Sequence, residues 1–239
     1  YEKEKIVIKY GGNVLIDRNV FNNFISDINV LNKLGLSVIV VHGGGPRIKR
    51  ELDKKKIVSK FINGLRVTDQ NIIDTVEEVL IEFNKDIVSS LKKLGSEAES
   101  FHTKTKNVIE VEPERKELGF VGIPSKINDS LIQNALNENK IPIIAPLGLG
   151  MHDQTYNING DTAASAIAKK LRSRRLILMT NVEGVYDDQK KLISEIKPFD
   201  LENLIKWKVV QGGMIPKIEN CVDAVQKGVK GVVILDGRK

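Results

Sequence analysis

At 239 residues and 26.7 kDa, the chain is long enough for one large α/β domain or two small ones, and its 41% apolar and 28% charged content is that of an ordinary globular protein. No apolar run is long enough to span a membrane, and a single cysteine, Cys221, excludes an internal disulfide framework. The net charge of +6 is spread through stretches that also carry Glu and Asp, and aromatics are only 5%, which does not describe a nucleic-acid-binding surface.

The chain enters through Glu2-Lys3-Glu4-Lys5 without a secretory signal, and this together with the lone cysteine gives the expectation of a reducing cytoplasm. A strand-like run at 6–8 is closed by Lys9 and followed by Tyr10-Gly11-Gly12. Residues 20–34 place Phe21, Phe24, Ile25, Ile28 and Leu31 at helical spacing. A second apolar run, 38–41, ends in His42-Gly43-Gly44-Gly45-Pro46. Pro46 suits the first position of a helix. One glycine usually suffices for a strand-to-helix turn, so three favour a site where backbone N–H groups approach a ligand. The pattern is neither a Walker A loop nor G-x-G-x-x-G.

Arg66, in Asn63-Gly64-Leu65-Arg66-Val67-Thr68-Asp69, precedes a long helical pattern over 68–94 with Gly95 as its stop. That pattern is apolar over so much of its circumference that the helix is either deeply buried or paired with another subunit. Residues 106–127 read as an antiparallel hairpin inserted over the sheet edge. The run 141–145 ends near Gly148, where the chain divides into an N-terminal lobe, 1–148, and a C-terminal lobe, 149–239. Asn157-Ile158-Asn159-Gly160-Asp161 opens an Ala-rich helix with Asp161 as its expected N-cap. The strand 176–179, a connecting helix over 198–208, the turn Gly212-Gly213-Met214-Ile215-Pro216-Lys217, a helical pattern holding Cys221 as a small core residue, and a last strand at 232–235 complete the chain. His42, His102 and His152 show no metal-ligand spacing.

The apolar runs are continuous rather than alternating, as in strands buried on both faces. Alternating with helices, they predict an α/β fold: a doubly wound, mainly parallel sheet sandwiched by helices, with the hairpin as an insertion. Lys9, the glycine loop, the segment around Asp161 and Lys217 all fall where a strand hands over to a loop or helix, the edge where open α/β sheets bind ligands. Backbone N–H groups and mobile lysines suit a transferred phosphate. Lys9 alone reads as a strand-end lysine facing water, and its glycine pair shifts that reading. Lys217 sits in a helix first turn, mildly unfavourable for a cation, which makes a functional reason more plausible.

Taken in order, Lys9-Tyr10-Gly11-Gly12-Asn13, Val41 to Pro46, Asn63 to Asp69, Gly119-Phe120-Val121-Gly122, Asn157 to Asp161, Asn181-Val182-Glu183-Gly184-Val185-Tyr186 and Gly212 to Lys217 resemble the amino-acid kinase family, and within it the branch acting on N-acetyl-L-glutamate. The resemblance covers nearly the whole chain. It implies transfer of the ATP γ-phosphoryl group to the side-chain carboxylate of N-acetyl-L-glutamate, in arginine biosynthesis, with Mg²⁺ riding on the ATP phosphates. By motif, Lys9 and Lys217 would stabilise the phosphoryl group in flight and Asp161 would orient them. Gly44 and Gly45 would contact substrate and phosphate, and Arg66 and Asn157 would bind the α-carboxylate. Gly11, Gly12, Asn181, Val182, Gly184, Val185, Tyr186, Gly213 and Met214 would line the nucleotide site. The resemblance also implies a homodimer, or a hexamer built as a trimer of dimers, and favours subunit pairing for the long helix. Arg47 stands where many relatives have Gln, and Asn181 where Asp is more usual. The chain stops at Lys239 where relatives continue through another hairpin, so the C-terminal lobe is expected to be incomplete. A kinase acting on a carrier-linked aminoadipate or glutamate, for lysine synthesis, and a non-catalytic amino-acid sensor on the same fold remain as alternatives.

Overall fold

The computed structural model describes residues 4–11, 17–187, 189–210 and 214–238. Its centre is a six-stranded sheet in which every neighbouring pair is parallel. The strands, numbered in chain order, are β1 (Lys5–Tyr10), β2 (Ser37–His42), β5 (Ala98–Phe101), β8 (Ile141–Ile144), β11 (Arg175–Thr180) and β12 (Val232–Asp236). Their spatial order is β12-β11-β1-β2-β8-β5. The interior strands β2 and β8 are buried along their whole length, which is why their sequences are unbroken apolar runs.

Successive residues of each strand feed two separate cores. Val7, Ile39, Val41, Ile144 and Leu178 face one layer, against α4 (Asp129–Asn137) and α5 (Gly160–Lys170). Ile8, Val38, Val40 and Ile143 face the other, against α1 (Arg18–Lys33) and α3 (Gln70–Lys93). The expected sandwich is therefore present. β5 is absent from the sequence reading: Ala-Glu-Ser-Phe is short and half polar, and an edge strand tolerates its partly exposed Glu99 and Ser100.

The residues read as a hairpin form β6 (Ile109–Pro113) and β7 (Gly122–Ile127), an antiparallel pair. They do not stand alone. β9 (Leu147–Leu149) and β10 (Thr155–Asn157) join them in a second sheet, ordered β10-β9-β6-β7. This sheet ends in Asn157 and so carries that residue to the edge of the main sheet. A small hairpin, β3 (Phe61–Ile62) and β4 (Leu65–Arg66), turns through Asn63-Gly64, both at positive φ, as two-residue hairpin turns of the Asn-Gly kind require.

The long helix divides its apolar residues between two cores within the subunit. Its first half, with Ile72, Ile73, Val76, Val79 and Leu80, packs on α2 (Gly45–Lys54) and on Ala145 and Leu147. Its second half, with Phe83, Ile87 and Leu91, packs on α1 and the sheet. One face of the helix thus meets two cores in succession along its length, so most of its apolar surface is covered within the subunit; Ile81 and Val88, off that face, stay half-buried. The connecting segment is a short turn at 198–200 followed by α6 (Leu201–Lys206), and α7 (Met214–Gln226) precedes β12. Among the described residues, no helix is long and apolar enough to cross a membrane.

Candidate active site

The C-terminal ends of β1 and β2, the end of β10 and the first turns of α2, α5 and α7 converge on one side of the main sheet. Lys9 comes from β1, and its side chain folds back across Gly11. A Cβ at Gly11 would stand 2.3 Å from Lys9 Nζ, so only glycine leaves that ammonium its place. The Lys9 ammonium forms an ion pair with Asp161, 2.9 Å from Oδ1. Lys217, from the first turn of α7, donates to Asp161 Oδ2. All three side chains are between 12% and 15% exposed. Burial works to raise the Asp161 carboxyl, but the two ammonium groups outweigh it and hold it below the usual carboxylate range. One anion thus fixes two cations side by side while leaving each with hydrogens to offer elsewhere.

Asp161 is not the N-cap of α5. Asn159 caps it, its Oδ1 accepting from the N–H groups of Asp161 at 2.9 Å and Thr162 at 3.2 Å. The Asp161 carboxylate is drawn instead to the lysines. Asn159 was missed because two cap-type residues stand two apart, and only the position of the lysines decides between them.

A cavity of about 240 Å³ adjoins Lys9, bounded by Gly43 to Pro46, Arg66, Asn157 and Asn159. It gathers all four residues expected to bind the acyl substrate: Gly44, Gly45, Arg66 and Asn157. Gly44 caps α2 without a side chain, leaving N–H groups of that helix start unclaimed, and Pro46 falls second in the helix rather than first. A Cβ on Gly45 would meet open space, whereas one on Gly44 would stand 2.4 Å from Leu80 Cδ2. Arg66 is buried; its guanidinium lies 4.7 Å from the Phe61 ring centre and donates to Ser59 Oγ. Desolvation lowers its pKa, yet an arginine remains charged. The β3–β4 hairpin therefore presents a flat, pre-oriented cation to the cavity. Its signal in the sequence was the Asn63-Gly64 turn.

The expected nucleotide residues are not gathered into this cavity. Asn181 and Val182 follow β11, and Asn181 O accepts from Arg238 Nη2 at 3.0 Å. Tyr186 is exposed and its hydroxyl donates to Glu183. Gly184 and Val185 line a different cavity, of about 440 Å³, between the 192–198 segment, β12 and α7. Met214 packs beside Val185, Val210 and Ile218. Gly12 and Gly213 lie outside the described residues. Arg47 turns away to Asp86 at 2.7 Å and sits over the Phe83 ring. Cys221 packs partly buried against the core, and burial pushes its thiol up to about 12, which suits a core residue and not a nucleophile.

The sequence matches the model of the amino acid kinase family over residues 4–236. It is 52% identical over 239 residues to the acetylglutamate kinase of Pelagibacter ubique (strain HTCC1062), an alignment spanning 100% of this chain and 83% of that protein. It is 43% identical over 252 residues to the acetylglutamate kinase of Methylobacterium nodulans, again spanning 100% of this chain and 83% of that protein. Among solved structures, smu.665 from Streptococcus mutans UA159 superposes with a TM-score of 0.86 at 33% identity, covering 97% of this chain and 94% of that one.

Proposed function

The chain belongs to the amino acid kinase family, and from that premise, with relatives named acetylglutamate kinases, we infer that it transfers the γ-phosphoryl group of ATP to the side-chain carboxylate of N-acetyl-L-glutamate. The product is an acyl phosphate, in the second step of arginine biosynthesis. The observation that carries this reading is the pair of lysines held by one largely covered aspartate beside a cavity that Arg66 and Asn157 also line.

The chemistry fits these groups. A carboxylate oxygen forms a bond to the γ-phosphorus while the bond to the ADP oxygen breaks. The nucleophile is already ionised, so no general base is required, and the barrier is the approach of two anions. Lys9 and Lys217 supply positive charge where it develops in transit, and Asp161 keeps both in place. Gly44 and Gly45 offer backbone N–H groups at the start of α2. Arg66 and Asn157 grip the α-carboxylate, Arg66 through its planar fork. Among the described residues no cluster of three or more His, Cys, Asp or Glu could cage a metal, and the Asp161 carboxylate is engaged by both lysines. Mg²⁺ enters on the ATP phosphates, whose oxygens suit it. In this reading residues 1–148 bind the acyl substrate, and residues 149–239, including Asn181 to Tyr186 and Met214, bind the nucleotide.

ATP turnover is measured with N-acetyl-L-glutamate, N-acetyl-L-aspartate, glutamate and carbamate as acceptors. N-acetyl-L-glutamate should give the highest kcat/KM. Faster turnover with another acceptor, or none with any, overturns the reading.

A further inference from the structure

His42 is fully buried beneath the glycine loop and plays no part in the mechanism above. Its Nδ1 is 2.9 Å from the Gly43 carbonyl oxygen, and its Nε2 is 3.1 Å from Asn84 Nδ2. A carbonyl can only accept, so Nδ1 carries the proton; an amide nitrogen can only donate, so Nε2 is bare. The two neighbours independently select one neutral tautomer. Asn84 is itself fixed. Its second amide hydrogen goes to Ile143 O at 2.9 Å, and its Oδ1 accepts from Ser100 Oγ. A continuous chain of donors therefore runs from β5 through α3 to β2 and ends on the glycine loop.

The peptide between Gly43 and Gly44 is trans and planar, so the Gly43 C=O and the Gly44 N–H point in opposite directions. Pulling the carbonyl toward His42 turns the N–H away from the core. Gly44 lines the 240 Å³ cavity, and its N–H has no acceptor among the described residues. We propose that His42, set by Asn84, is a positioning residue: by holding the Gly43 carbonyl inward, it aims the Gly44 N–H at the substrate or the phosphoryl group in transit. This rests on the reading of that cavity as the acyl-phosphoryl site. An aimed backbone donor is useful only if it does not reorient during reaction, and a glycine loop lacks that rigidity by itself.

Two variants test it. His42→Leu keeps an apolar body and removes the donor. His42→Asn places an amide nitrogen where Nδ1 stood. The Leu variant should lose about tenfold to a hundredfold in kcat, since small misplacements of a reacting contact cost that much, with KM for ATP little changed. The Asn variant should recover most of the loss. Leu turning over like the unmodified protein, or Asn no better than Leu while both melt normally, overturns the proposal. The ¹⁵N shifts of the His42 ring in the unmodified protein give a reading that needs neither a folded variant nor turnover. A protonated Nδ1 and bare Nε2 at neutral pH support the proposal, and the opposite tautomer overturns it even if the variants fail to fold. If the unmodified protein phosphorylates no N-acetyl-L-glutamate but shows this tautomer, the functional reading fails and not the histidine geometry.

Discussion

Lys9 and Lys217 share one carboxylate, and each has a separable consequence. Lys217→Ala removes a charge that matters most as phosphoryl charge develops. Turnover should fall by on the order of 10²–10³, the usual loss for one preorganised electrostatic partner, while ATP binding weakens less. A variant with near-normal kcat would remove Lys217 from the mechanism. Gly11→Ala tests Lys9 without touching its charge. The added Cβ would stand 2.3 Å from Lys9 Nζ and 2.5 Å from Cε. The flexible end of a lysine can swing aside at little cost to folding, but not while staying 2.9 Å from Asp161. The melting temperature should hardly move while kcat drops, by steady-state kinetics beside a thermal scan. An unchanged kcat means that the folded-back Lys9 side chain is not its working position.

α3 shows how one element serves two cores and the site together. Ile87 has no exposed surface and faces α1 and the sheet, whereas its neighbour Val88 is half-buried at the rim of the same core. Ile87→Asp buries a carboxylate without a partner, so the variant should lose more than about 4 kcal/mol and yield no folded subunit of any size. Val88→Asp should leave the fold intact, because its charge can reach water. Circular dichroism and urea unfolding separate the two. If Ile87→Asp gives a folded, smaller species, α3 lies in a subunit interface after all. The same helix supplies Leu80, which closes over Gly44, and Asn84, which sets His42. Packing and positioning therefore lie on one face of the helix.

Two properties belong to the molecule as a whole. Burial lowers the His42 imidazole from 6.5 to about 4. The folded value is depressed, so the unfolded chain binds the proton first as pH falls. Stability fully present above about pH 6.5 should be lost progressively down to about pH 4, at a limiting slope near 1.4 kcal/mol per pH unit for one proton. His102 is also lowered by burial and pulls in the same direction, so the readout is the difference between the unmodified protein and His42→Asn. Equal slopes of urea stability against pH would show that His42 titrates normally in the fold. Assembly is the second property. β5 forms one edge of the six-stranded sheet, and a strand edge offers unpaired backbone groups to a second copy. With the family resemblance, this leads us to propose a homodimer. Light scattering should give a mass near twice the 26.7 kDa chain or a higher multiple; a clean monomer at micromolar concentration rules out a stable dimer.

Five of the six central strands were legible as unbroken apolar runs, which coverage on both faces demands of β2 and β8; β12 carries such a run although it is an edge strand and only partly buried. Parts of the candidate site were legible because the glycines beside Lys9 and at 43–45, and a lysine at 217 in a helix first turn, are odd choices for a bare strand end or helix start. Other features left no such trace. β5 is half exposed at an edge, and β9 and β10 are three residues long, too short to hold a period. Periodicity marked the apolar residues of α3 but not what covers them, since burial within a subunit and against a second copy demand the same side chains. Asp161 is the cap of α5 that the sequence leads one to expect, yet Asn159 suits a cap equally, and nothing local to the two residues supports the choice. That choice fell to Lys9 and Lys217, which are far apart in the chain and meet at Asp161 only once the parallel sheet has brought the ends of β1, α5 and α7 together.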